Sequence, residues 1–136
     1  KEIKPSSHRL ELKKIGAATL IDNAYSTNPE GFTNIINDLK QVPGKKVLIT
    51  PGIIELGQQT TEVHQKTGAL AAGVFDTVIL VGKSDRTKNL EVGLKSERYA
   101  GKIQYLQNSS QLWPEIDLLS KTHDWILLEN DLPDNF

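Results

Sequence analysis

The 136-residue sequence contains neither cysteine nor methionine. Without cysteine there is no disulfide, no thiolate metal site and no cysteine nucleophile. A reducing cytoplasm suits such a chain. Without methionine, and with Lys1 at its start, the sequence reads as a processed product or as a piece of something longer. Aromatic residues are scarce, at 6%. They are not interleaved with basic residues, which argues against a stacking platform for single-stranded nucleic acid. Neither sign of charge dominates: 16 Lys and Arg stand against 17 Asp and Glu, a formal net charge of −1. No basic run exceeds a pair, so nucleic acid and anionic membranes are not expected partners. No apolar run is long enough to cross a bilayer, and no signal peptide is visible.

Signatures of several chemistries are missing too. His8, His64 and His123 are far apart and form no spaced pair, so no metal site is expected. His64 is expected early in a helix and partly exposed. There is no Gly-x-Ser-x-Gly elbow, and Ser26 has no evident His–acid partners. Gly82-Lys83-Ser84 looks like the end of a P-loop. The motif requires glycine five residues earlier, where Thr77 stands, and the residues between form an apolar strand. A P-loop is therefore rejected, and Lys83 is expected to be solvated.

What is present suits one soluble globular domain: 38% hydrophobic and 24% charged residues. Residues 1–7 are polar and read as a linker, leaving 8–136 as the domain. His8 to Leu12 alternates like a short edge strand. Gly16 marks a turn, and Ala17 to Ile21 is the first buried strand. Pro29 to Lys40 is the first helix, with Phe32, Ile35, Ile36 and Leu39 on one stripe. Lys46 to Thr50 and Asp76 to Val81 carry continuous apolar runs, as strands buried on both faces do. Between them a helix runs from Thr60 or Thr61 to about Gly73, capped by one of those threonines, with Val63, Leu70, Ala71 and Val74 inward. Ser84 to Ser96 is a weaker helix, and Ile103 to Leu106 a short strand. Ser109 or Ser110 opens the last helix, where Pro114 is tolerable in the first turn. Asp124 to Glu129 is the last strand. Trp113 and Trp125 are expected in the core or at a subunit contact. Alternating strands and helices predict an α/β, three-layer, Rossmann-like domain with a mostly parallel sheet of five or six strands.

The chain is organised around Leu20 to Phe32, LIDNAYSTNPEGF. A strand end hands over to a helix opened by Asn28-Pro29, a favoured cap followed by a favoured first residue. Open α/β sheets place ligands at such junctions. Asp22 or Asn23 can meet ribose hydroxyls, and a helix N-terminus favours an anion. The plainer alternative is that these residues shape a turn. Glu55, in the glycine-flanked loop Pro51 to Gly57, can meet a cation or an amine, or simply face water.

The order of these pieces resembles the C-terminal domain of the Mur ligases. His8-Arg9-Leu10-Glu11, then LIDNAYSTNPEGF, then Glu55-Leu56-Gly57, His64, Gly68 and the Ile-Leu-Val-Gly strand end follow the family pattern HRxE, DDAYNANP, GDMxELG. The MurF type, which adds D-alanyl-D-alanine to a UDP-muramoyl tripeptide, is the nearest pattern. The ordered match covers about residues 8 to 82. The resemblance implies a domain of an ATP-dependent carboxylate–amine ligase of peptidoglycan precursor synthesis, cytoplasmic, closing over ATP and the incoming amine. Its partners would be a UDP-muramoyl peptide, an amino acid or dipeptide, and a preceding ATP-binding domain of the same chain. That domain would supply the P-loop and most of the Mg²⁺ site, so these residues alone would be inactive. Carried over, Arg9 would meet ATP phosphate, and Asp22 and Asn23 the ribose. Tyr25, Ser26, Thr27, Asn28 and Glu55 would face the nucleotide or the incoming amine. The sequence departs from the pattern in four places. Ser26-Thr27 replaces Asn-Ala. Asn23 replaces the second acid of the DDAYNANP run. Pro51-Gly52 stands where Gly-Asp is expected. Glu129-Asn130-Asp131 replaces a Lys-Gly-Ser run after the last strand. A non-catalytic α/β binding module derived from the family is the competing expectation.

Overall fold

The computed structural model describes residues 11–23, 29–53 and 57–129. Arg9, Tyr25, Ser26, Thr27, Asn28 and Glu55 lie outside the described residues. Six strands form one sheet: β1 (Glu11–Ile15), β2 (Ala18–Asn23), β3 (Lys46–Thr50), β4 (Thr77–Val81), β5 (Lys102–Leu106) and β6 (Trp125–Glu129). Four helices connect them: α1 (Pro29–Lys40), α2 (Thr60–Ala72), α3 (Asp85–Ser96) and α4 (Leu112–Leu119). The spatial order is β1-β2-β6-β3-β4-β5. β1 pairs antiparallel with β2, and every other pair is parallel. The three-layer, mostly parallel expectation holds.

The edge strand is described from Glu11 to Ile15, and the His8 to Leu10 part of the expected strand lies outside the described residues. Its register is set by the tight Gly16-Ala17 turn, which places Ile15 opposite Ala18. Gly16 takes φ +60° there, a conformation that glycine adopts without penalty.

Alternation along the strands builds two cores, one on each face. Ile21, Leu48, Val78, Leu80 and Leu127 pack under α1, α2 and α3, together with Phe32, Ile36 and Leu39 of α1. Leu20, Val47, Ile49, Ile79 and Ile126 pack on the opposite face against Leu112, Ile116 and Leu119 of α4. Each fully buried Leu, Ile or Phe contributes about 1.5–3 kcal/mol relative to exposure. The central strands β3 and β4 are buried along their whole length, which is why their runs are unbroken by polar alternation.

Three expectations about the helices need correction. The inward face of α2 consists of His64, Thr67, Gly68 and Ala71, while Val63, Leu70 and Val74 are only partly buried. Gly68 causes the shift. A Cβ there would run into the carbonyl oxygen of Leu90, so α3 packs directly on this backbone. Gly93 of α3 is its counterpart, against the carbonyl of Gln65. The second correction concerns His64, which is fully buried rather than partly exposed.

The third is capping. No threonine caps α2, whereas the last helix does open at Ser109, through a 3-10 turn. Short 3-10 turns, Gly57–Gln59 and Ser109–Gln111, lead straight into α2 and α4 and replace the side-chain cap with i→i+3 bonding. Helix α3, read as weak, carries a full capping box. Ser84 Oγ accepts from Thr87 N–H, and Thr87 Oγ1 accepts from Ser84 N–H.

Candidate functional site

The carboxyl ends of the parallel strands share one edge of the sheet, where open α/β folds bind ligands. β6 enters between β2 and β3, so the ends of those three strands lie side by side. Helix α1 begins at Pro29, only a few residues after β2 ends there. Asn23 closes β2 directly opposite Glu129, which closes β6. One residue beyond the Ile49–Leu128 pair stands Thr50, at the end of β3. By strand alternation Asn23, Glu129 and Thr50 fall on the face of Ile21, Leu127 and Leu48, beneath α1 to α3.

Asn23 and Glu129 are hydrogen-bonded side chain to side chain. The Asn23 side-chain amide donates to both carboxylate oxygens, at 2.9 and 3.0 Å. Asn23 is 5% exposed and Glu129 fully buried. A buried carboxylate needs such charge-assisted donors. Asp22 points to the opposite face, the side of Leu20, and lies 3.8 Å from Lys13 of the edge strand. The Asp22-Asn23 pair is therefore two residues on two faces. Only Asn23 faces α1.

The turn leaving β3 is held from two helices. Gly52 takes φ +92°, and its N–H donates to Thr50 Oγ1 at 3.0 Å. Ile53 N–H donates to His64 Nε2 at 2.8 Å. His64 Nδ1 is 2.6 Å from the Thr60 carbonyl. An N–H donor on one side and a carbonyl on the other require the neutral imidazole with its proton on Nδ1. Burial lowers the His64 pKa most. The bond to Thr60 opposes that shift, and the nearby Arg86 charge adds to it. Arg86 of α3 donates through Nε to the Pro51 carbonyl at 3.2 Å. Gly52 fits between them: a Cβ would meet Arg86 Cβ at 2.6 Å and His64 Nε2 at 3.0 Å.

A family profile described as "Mur ligase, glutamate ligase domain" matches residues 8–129. The chain belongs to the Mur ligase family. It is 33% identical over 103 residues to the UDP-N-acetylmuramoyl-tripeptide–D-alanyl-D-alanine ligase of Escherichia coli K12, covering 74% of this chain and 22% of that protein. It is 29% identical over 105 residues to the same-named ligase of Buchnera aphidicola, covering 75% and 23%. The chain thus spans less than a quarter of the length of these relatives. Among solved structures, MurF from Acinetobacter baumannii superposes with a TM-score of 0.70 at 22% identity, covering 91% of this chain and 27% of that one. The Thermotoga maritima MurF ligase in complex with ADP gives 0.66 at 19% identity, covering 96% and 28%. At these identities the structures establish a shared fold.

For this Mur ligase domain, two separate departures from the family pattern become one contact. Asn23, which replaces an acid, is hydrogen-bonded to Glu129, which stands where the lysine of the Lys-Gly-Ser run is expected. The two positions, 106 residues apart in sequence, meet across β2 and β6 as an amide–acid couple. Sequence reasoning singled out the two positions but missed that they pair. It also missed His64, Arg86 and Thr50 as holders of the β3 turn. The Mur pattern does include His64, and that was the available signal.

Further along the edge, Lys83, Ser84, Lys88, Glu91 and Tyr105 line an open concavity of about 450 Å³. Lys83 is exposed, as expected, and lies over the Tyr105 ring, 5.6 Å from its centroid. The Tyr105 hydroxyl donates to Glu91 at 2.7 Å, and burial and then Glu91 push the phenol up to about 12. Among the described residues no group of three or more His, Asp or Glu could hold a metal ion, and no helix is long and apolar enough to cross a membrane. Trp113 is 55% exposed on α4 and is not a core residue.

Proposed function

We propose that residues 8–136 are the C-terminal, closing domain of a cytoplasmic ATP-dependent ligase that joins an amino acid or dipeptide to a UDP-muramoyl peptide. Residues 1–7 link it to a preceding ATP-binding domain. The observation that carries this reading is the family match over residues 8–129, which spans the β2–α1 junction at the carboxyl edge of the sheet. In the reaction, the peptide carboxylate attacks the terminal phosphate of ATP and ADP leaves. The amine then attacks the acyl phosphate, forming the amide and releasing inorganic phosphate and a proton. As the family resemblance implies, Mg²⁺ would be held mainly by the preceding domain, and no step here is routed through it.

In this reading Arg9 offers its guanidinium to phosphate, a geometry suited to bidentate contact. Asp22 and Asn23 border the ribose, Asn23 with its side-chain amide committed to Glu129. Tyr25, Ser26, Thr27 and Asn28 run into the N-terminus of α1, which favours anions, and Glu55 attracts the incoming amine. The 136 residues alone should not ligate, because no P-loop is among them.

The test is amide formation and ADP release by the full-length protein, with Arg9→Ala and Asp22→Ala beside wild type. Each variant should lose about tenfold or more in kcat/KM for ATP, the range of a charged contact to a ligand. If both variants turn over ATP normally, the site assignment is wrong. The competing reading, a non-catalytic module, is favoured by the uncharged Asn23 facing an extra acid, Glu129. It wins if the wild-type full-length protein binds nucleotide or peptide without forming an amide.

A further inference from the structure

We propose that His64 is a positioning residue: its neutral Nδ1–H tautomer, with Arg86 on the other side, fixes the turn by which the chain leaves β3 beside Asn23 and Glu129. The His64 ring spans from helix α2 to the turn. Nδ1–H donates to the Thr60 carbonyl at 2.6 Å, and Nε2 accepts from Ile53 N–H at 2.8 Å. Both ring nitrogens are used, and the ring is fully buried. Arg86 Nε holds Pro51 O at 3.2 Å. Gly52 lies against both side chains, with no room for a Cβ. The three residues of the turn therefore have contacts from α2, from α3 and from Thr50 at the end of β3. Such a turn gives a rigid edge to a site otherwise made of loops.

The latch is sensitive to protonation. A proton on Nε2 turns the acceptor into a donor facing the Ile53 N–H, so that bond is lost. Among the described residues, the charged group facing the ring is Arg86 of α3, which disfavours the imidazolium. Pro51, Gly52 and Ile53 bring no charge, and α2 itself contributes the Thr60 carbonyl. The acid form is thus excluded at neutral pH and enters only below the ordinary histidine range of about 6.5.

The activity arm of the test rests on the ligase reading; the exchange arm does not. In the full-length protein, His64→Gln can place an amide oxygen near Nε2, His64→Asn only a donor near Nδ1, and His64→Phe only volume. Hydrogen exchange read by mass spectrometry should show Ile53 protected in wild type and His64→Gln, and unprotected in the Asn and Phe variants. In ligation assays His64→Gln should stay within about threefold of wild type and lose its acid limb, while the Asn and Phe variants fall about tenfold or more in kcat. Loss of activity that follows the fall in Tm rather than the presence of an acceptor would overturn the proposal. So would equal exchange in all four proteins. If wild type forms no amide, the ligase reading fails, and the exchange arm alone decides the latch.

Discussion

Replacing Asn23 with Asp tests whether Asn23 and Glu129 act as one unit. The substitution changes one amide nitrogen to oxygen and hardly alters volume. It removes a donor 2.9 and 3.0 Å from the two carboxylate oxygens and puts a second acid there. The lost charge-assisted bond is worth about 1.5–3 kcal/mol. Two carboxylates about 4 Å apart at an effective dielectric of 20 add a repulsion of about 4 kcal/mol. The pair escapes part of this by retaining one proton, which raises one folded-state pKa above its unfolded value. A group raised in this way stabilises the fold below its unfolded pKa, and that contribution is lost as pH rises through the folded pKa. The variant should therefore be close to wild type near pH 4 and weakest near pH 8. With a urea m-value of about 2 kcal/mol/M, a loss of about 4 kcal/mol moves the unfolding midpoint by about 2 M. The second variant is decisive. Asn23→Asp with Glu129→Gln inverts the pair, keeps its charge and restores the donor, so it should recover most of the loss. Urea unfolding of the 136-residue chain at both pH values measures all four corners of the cycle. A midpoint shift independent of pH, or a double variant no better than Asn23→Asp alone, would refute the pairing argument.

Two further outcomes follow from the helix layer. Gly68→Ala adds about 1 kcal/mol of helix propensity in an ordinary helix, but here the methyl meets the Leu90 carbonyl. The net effect should be a loss of about 1–3 kcal/mol, read as a lower Tm by calorimetry, and Gly93→Ala should behave alike. Ser84→Ala removes the side-chain acceptor for Thr87 N–H and should cost about 1 kcal/mol, with little change at the β2–β6 edge.

The layers were legible because their signals are local. The continuous apolar runs at Lys46–Thr50 and Thr77–Val81 can hardly be anything but central strands. The Phe32–Leu39 stripe fixed α1 to its end residues. Where tertiary contact overrides pattern, the reading failed. On α2 the expected Ala71 is buried and Val63, Leu70 and Val74 pack against the core only partly buried, while the pattern missed the buried His64, Thr67 and Gly68. Gly68 brings α3 so close that the inward face shifts to the smaller residues. His64 looked exposed because its partners are backbone groups, which no side-chain pattern marks: one is the Thr60 carbonyl, a turn back on α2. The other is the Ile53 N–H, eleven residues away. Asn23 and Glu129 are 106 residues apart, and only strand order makes them neighbours.

His64 and Gly68 both belong to the family pattern, and their places on α2 explain each other. They are four residues apart, one turn of helix, and so face the same way. Gly68 lets α3 approach until its backbone meets α2. That approach carries Arg86, one turn before Leu90 on α3, to the Pro51 carbonyl. His64 then meets the same turn from α2. The two residues that touch the turn depend on two glycines that touch only each other's helices. A methyl at Gly68 should therefore do more than cost stability. By pushing α3 outward it should lengthen the Arg86–Pro51 contact and leave His64 as the remaining helix contact of the turn. Ile53 would then exchange faster than in wild type even where the domain remains folded.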